Sequence, residues 1–221
     1  VQLGCALQTI FGIPLADLIR LSEIDDSNRD AHYHLTPADY CFFIFEYTSQ
    51  RNYSFSQTNN LISNLKKKPS QSHLPGYGYK QQAIAKSAQC FAAAINAEWL
   101  QTATLVPIPG SKIAGHADFD DRMERICRLI PAPDVRNLVH QTHSTDSSHE
   151  AGAGERITVD ELLAIYRIDE TVAQPTPTTI AIMDDVLTAG THYRAMHRVL
   201  SQRFPQIPIV GIFIARRVFP E

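Results

Sequence analysis

TIAIMDDVLTAGTHYRAM, residues 179–196, carries the order on which the fold reading turns. An apolar run, Ile180 to Met183, ends in two adjacent carboxylates, Asp184 and Asp185. A small-residue segment follows, and Ala195, Met196, Val199 and Leu200 then recur at helical spacing. This reads as a buried strand, an acidic lip, a tight loop and a helix. A helix start offers free N–H groups and a positive dipole end, so a loop of small residues feeding it can hold a phosphate. Carboxylates at the strand end can accept hydrogen bonds from sugar hydroxyls or help hold Mg²⁺. Phosphate, sugar and metal together describe a phosphorylated sugar. The plainer alternative is a buried strand whose acids cap a helix.

DDVLTAGTHYRAM resembles the PRPP-binding signature of the type I phosphoribosyltransferases, an apolar strand followed by Asp-Asp or Glu-Asp and a Thr/Ser/Gly loop. Its TAGT segment is especially similar to the loop of orotate phosphoribosyltransferases. The resemblance implies that Asp184 and Asp185 bind the ribose hydroxyls of phosphoribosyl pyrophosphate (PRPP) and help hold Mg²⁺ as the catalytic acids. It also implies that Thr188, Ala189, Gly190 and Thr191 cradle the 5-phosphate. The expected fold is a type I phosphoribosyltransferase-like α/β domain: a mostly parallel twisted sheet, helices on both faces, and an N-terminal accessory or hood region. Residues 1–38 are assigned to the accessory segment and 39–221 to the domain, with the core clearest from 104.

The chain has 221 residues, enough for one α/β domain with an appendage. Its 20 basic and 23 acidic residues give no general attraction to nucleic acid or to an anionic membrane. Cys5, Cys41, Cys90 and Cys127 form no Cys-x-x-Cys pair and read as reduced thiols of a cytoplasmic protein. No apolar run approaches twenty residues. The chain opens on Val1 without Met, as a trimmed chain or a fragment of something longer would.

Ahead of the signature, Pro14, Leu15, Leu18 and Ile19 suggest a short helix, and YCFFIFEY (40–47) a strand. Leu61, Ile62 and Leu65 mark a helix ending in Lys66, Lys67 and Lys68, a triplet that reads as a solvated, dipole-matched end. Residues 81–99 read as one long helix and 118–130 as an amphipathic one with Met123, Ile126, Cys127 and Ile130 inward. TLVPIP (104–109) is an apolar strand leading into Gly110, Ser111 and Lys112. VPIPGSK resembles the pyrophosphate loop of ComF-like phosphoribosyltransferases, which makes Ser111 and Lys112 PRPP-binding candidates; otherwise it is an ordinary surface turn. The ComF-like Arg-Gly-Phe-Asn-Gln pattern is replaced by Ala117-Asp118-Phe119-Asp120-Asp121, and the zinc-binding cysteines at the front of many ComF-like proteins are absent.

DVRNLVH (134–140) is expected to be the second core strand and IPIVGIFI (207–214) the last. Directly behind the former, between the second and third core strands, lies the polar stretch QTHSTDSSHEAGAGER, longer than an ordinary turn. Its position matches the flexible catalytic loop of the resembled family, which shields the reaction from water. Arg136, His143, His149 and Arg156 are the lid candidates for touching pyrophosphate. A metal frame from His140, His143, Asp146 and His149 has no standard zinc spacing. Thr158 and Glu161 form a capping box ahead of a short helix.

The resemblance implies transfer of a 5-phosphoribosyl group from Mg-PRPP to a nitrogenous base, with pyrophosphate released. It also leaves open a non-catalytic regulator or partner subunit, ComF-like or defence-associated, that binds PRPP or a nucleotide. Either reading involves a small-molecule ligand, and family analogy adds a homodimer or a protein partner.

Overall fold

The structure is a computed structural model that describes residues 19–145 and 157–220. The helix expected around Leu15, together with Cys5, Asp146, His149 and Arg156, lies outside the described residues. The first strands are β1 (Ser22–Glu23) and β2 (Tyr40–Thr48), followed by helices α1 (Gln57–Leu65), α2 (Gly78–Ala94) and α3 (Ala97–Leu100). Strand β3 (Ala103–Pro107), helix α4 (Arg122–Leu129) and short strands β4 (Asp134–Val135) and β5 (Val139–Gln141) come next. The chain then forms α5 (Val159–Ile165), β6 (Tyr166–Ile168), β7 (Thr179–Leu187), α6 (Thr191–Arg203) and β8 (Ile209–Val218).

Six strands make one twisted sheet in the order β1-β2-β8-β7-β3-β4. The β2–β8, β8–β7, β7–β3 and β3–β4 pairings are parallel, and only β1 runs antiparallel, on the β2 edge. Strands β5 and β6 pair separately as an antiparallel ribbon. A parallel strand covered on both faces is apolar throughout, and β7 shows why. Ile180 and Ile182 join a core with Leu162, Tyr193, Met196 and Leu200 of α5 and α6. Ala181 and Met183, pointing the other way, join Ile62, Leu65, Phe91, Met123 and Ile126 of α1, α2 and α4. Each of the large buried Ile, Leu, Met and Phe side chains contributes roughly 1.5–3 kcal/mol, which the two helical layers supply jointly.

Several boundaries differ from those the sequence suggests. Strand β7 runs on through both acids to Leu187, because Asp184, Val186 and Leu187 continue the ladder with Phe213, Ala215 and Arg216 of β8. For the same reason β8 extends past Ile214 to Val218, pairing with β2 as far as Thr48. The long helix over 81–99 breaks at Ile95, and the Asn96 side chain, accepting the Trp99 N–H at 2.9 Å, starts α3 anew. The helix expected from 118 begins only at Arg122. DVRNLVH divides into β4 and β5, so only Asp134 and Val135 belong to the main sheet. The capping box is present: Thr158 Oγ1 accepts the Glu161 N–H, and the Glu161 carboxylate accepts the Thr158 N–H. Among the described residues, no helix is long and apolar enough to cross a membrane.

Gly211, on β8, lies against the Tyr193 ring of α6. A methyl group there would lie 2.8 Å from the Tyr193 ring and 3.0 Å from Cys41 Sγ. Gly211→Ala therefore overpacks a core that cannot give way, at a cost of about 1–3 kcal/mol. Urea denaturation of the variant should show that loss as a lower midpoint with an unchanged slope.

Candidate functional site

From β3 the chain steps outward to β4, then returns to lay β7 on the other side of β3. Such a reversal opens a crevice at the carboxyl ends of the two strands, where ligands of open α/β sheets bind. Both loops singled out in the sequence leave from this place. The Ile108 N–H still donates to Met183 O at 3.0 Å, and residues 109–112 then turn away. Gly110 lies against the lead into α4, where a methyl group would sit 2.8 Å from Asp120 O. Lys112 Nζ donates to Thr145 O at 2.8 Å, and the Thr145 N–H donates to Ser111 O at 2.7 Å. Ser111 and Lys112 are thus tied to the residues that enter the 146–156 stretch.

The two acids have different surroundings because successive strand residues face opposite sides. Asp185, only 3% exposed, points toward α1 and α4. Its Oδ2 accepts Arg122 Nε at 3.0 Å and Nη2 at 2.7 Å, while Lys66 Nζ lies 3.5 Å from Oδ1. Arg122 also bonds Asp120 at 2.8 Å, and Asp120 in turn pairs at 2.7 Å with Lys80, itself 1% exposed. Lys80 completes its donors on Leu65 O at 2.5 Å and Lys67 O at 2.8 Å. The result is a run of charges, Lys66–Asp185–Arg122–Asp120–Lys80, linking α1, α2, α4 and β7. Three cations here face two carboxylates, Asp185 and Asp120. The lysine triplet is consequently not a simple solvated end: Lys66 reaches Asp185, and Lys67 donates to Gly76 O at 2.6 Å.

Asp184 is half-buried, and its Oδ1 accepts the Asp185 N–H at 2.7 Å. Burial, then the neighbouring Asp185 charge, push its carboxyl up to about 7. Six residues on, the loop turns into α6 through Gly190, at φ +88°. Gly190 occupies the cap position and α6 has no side-chain cap. The outer wall of this loop comes from far upstream. His32 Nδ1 meets Thr188 O, and the His34 N–H donates to Ala189 O at 3.0 Å. Carbonyl and N–H point in opposite directions across a trans peptide, so the amides of Ala189 and Gly190 point away from that wall. Arg194 clamps the arrangement by donating to His34 O at 2.9 Å and pairing with buried Asp39.

No family model and no curated protein sequence matches the chain.

Asp184, Asp185, Thr188, Ala189, Gly190 and Thr191 thus lie at or beyond the carboxyl end of β7, and Ser111 and Lys112 beyond that of the adjacent β3. Arg136 does not join them. Because β4 ends at Val135, Arg136 folds back on Asp134 (2.7 and 2.8 Å) and donates to Pro175 O at 2.6 Å. Asp134 accepts from Thr104 near the start of β3, so this group lies at the opposite edge of the sheet. His143 is exposed and bonded to Thr142 Oγ1 at 2.9 Å. Among the described residues no three His, Cys, Asp or Glu side chains converge as a metal cage. The sequence reading passed over Lys66, Arg122 and the pair Tyr166–His192, whose Oη and Nδ1 lie 3.0 Å apart beside the signature. Lysines at a helix end and a histidine one place after TAGT were the available signals.

Two measurements test this charge arrangement. Arg122→Met leaves two carboxylates short of a partner and should cost roughly 3–5 kcal/mol in denaturant unfolding. Asp184 has the opposite sign of pH effect from an ordinary paired acid. Its folded state prefers the proton, so its unfavourable contribution grows as pH rises from the ordinary carboxylate range to about 7 and is constant above. Asp184→Asn should therefore gain stability over the wild type between pH 4 and pH 8, read from urea curves at both.

Proposed function

We propose that the chain binds PRPP in the crevice between β3 and β7 and transfers its 5-phosphoribosyl group to a nitrogenous base, releasing pyrophosphate. The finer fold identity, a type I phosphoribosyltransferase-like domain with the 19–38 segment as part of its hood, belongs to the same proposal. One observation carries it most. The uncapped start of α6 follows a glycine turn whose carbonyls of Thr188 and Ala189 are engaged on the outside, leaving for a phosphate the amides of Ala189 and Gly190, five and six residues beyond Asp184. In this reading the loop holds the 5-phosphate and Asp184 accepts the ribose hydroxyls. Arg122 and Lys66 keep Asp185 ionised and in place, and Ser111 and Lys112 face the pyrophosphate. A nitrogen of the base forms the new bond to ribose C1 as the C1–O bond to pyrophosphate breaks. Positioning and charge complementarity would supply the rate.

The residues fit Mg²⁺ in a restricted way. Asp185 already spends its oxygens on Arg122 and Lys66, so Asp184 is the carboxylate to offer, with ligand oxygens completing the shell. When bound, Mg²⁺ draws charge from the leaving pyrophosphate.

The same engagement of Asp185 favours a second reading, a regulator or partner subunit that binds PRPP or a nucleotide without turnover. One carboxylate suffices to recognise a ribose, whereas the resembled enzymes use two.

Calorimetry with PRPP, with and without Mg²⁺, tests the proposal. Wild-type protein should bind in a Mg²⁺-dependent way, and Asp184→Asn should weaken binding by about tenfold or more, the worth of a charge-assisted hydrogen bond. Asp184 is the better choice than Asp185, whose loss also breaks the buried ion pair. Absence of PRPP binding by folded wild type would overturn the transferase reading, and absence of binding to nucleotides as well would overturn the second. Pyrophosphate release with a panel of bases then separates the enzyme from the regulator.

A further inference from the structure

We propose that His192, fixed by Tyr166 as the Nε2–H tautomer, donates a hydrogen bond to the phosphate ester seated on the 188–190 loop. The inference rests on the sugar-phosphate reading of that loop. His192 is the second residue of α6, one place after Thr191, so its side chain stands at the rim of the uncapped helix start. Tyr166, the first residue of β6, is 2% exposed, and its Oη lies 3.0 Å from His192 Nδ1. A buried phenol must place its proton on an acceptor, and burial pushes Tyr166 so far up that the proton stays. His192 Nδ1 is the acceptor within reach, so the ring proton sits on Nε2.

Nε2 lies on the far side of the ring from Tyr166. Among the described residues no hydrogen bond holds it, it is not among the buried polar atoms lacking a partner, and the residue is only half-buried. It is therefore a directed donor with access to solvent. Burial, with the Lys66 and Arg122 charges behind it, pushes the imidazole down to about 4 against the pull of Asp185, which keeps it uncharged near neutral pH. Tyr166 acts through His192 and is a positioning residue.

The probe is ribose 5-phosphate, which lacks pyrophosphate and removes any need for a base. His192→Phe should weaken its binding about tenfold, the order expected for one lost hydrogen bond. His192→Gln, whose amide nitrogen reaches the place of Nε2, should restore affinity to within about threefold of wild type, a small part of one hydrogen bond. Independently of ligand, ¹⁵N spectra of histidine-labelled wild type should show His192 as Nε2–H, and Tyr166→Phe should move it toward a mixture of tautomers. The proposal is overturned if His192→Phe, shown folded by circular dichroism, binds ribose 5-phosphate as the wild type does. An Nδ1–H signature in the wild type overturns it as well, even if no His192 variant folds. In both cases the loop reading stands, whereas wild type that binds neither ribose 5-phosphate nor PRPP removes the loop reading and this contact together.

Discussion

The carboxylate of Asp185 has to be taken out of water, and much of the molecule is arranged around that requirement. Burying an ion costs several kcal/mol unless it is closely paired and its remaining oxygen satisfied. Arg122 meets one oxygen through two nitrogens and Lys66 approaches the other, while Asp120, itself paired with Lys80, accepts from Arg122 behind it. Each partner comes from a different helix or its flank, so the positions of α1, α2 and α4 over the sheet are indexed to one side chain of β7. The loop after β3 inherits this registration, since Gly110 rests on the carbonyl of Asp120. Neighbouring Asp184, turned to the other face, carries no such duty and is left for chemistry.

The parts legible in the sequence are those governed by local rules. The apolar run of β7, the helix after TAGT, the Thr158–Glu161 box and the inward stripe of α4 each follow from periodicity or capping within a few residues. Strand ends were less legible because they depend on partners. Nothing in MDDVL announces that the ladder continues, since that depends on Phe213 and Arg216 lying opposite. The two acids looked equivalent for the same reason: Arg122 is 63 positions from Asp185 in the chain, and no spacing rule connects them. Arg136 lies beside Asp134 and Pro175 because β4 ends five residues sooner than the strand expected over 134–140.

The loop at the start of α6 is a composite of distant segments. Its inner side belongs to the signature, but its outer side is His32, His34 and Leu35, with Leu35 only 3.2 Å from where a Gly190 methyl group would lie. An Arg194–Asp39 pair holds that wall against the helix. The segment ahead of β2 is thereby part of the site's construction, although its composition reads as an unremarkable polar connector.

The pairing of β2 with β8 joins one of the earliest strands to the last. During synthesis, YCFFIFEY leaves the ribosome with one long edge open and must wait for the rest of the chain before that edge is covered. At ordinary elongation rates this interval is roughly ten to thirty seconds. An aromatic, β-branched strand exposed for so long is a template for unwanted pairing between nascent chains. The short antiparallel β1 blunts the other edge at once, being made first. The order of strands thus places a need for chaperone cover in the interval between the making of β2 and that of β8.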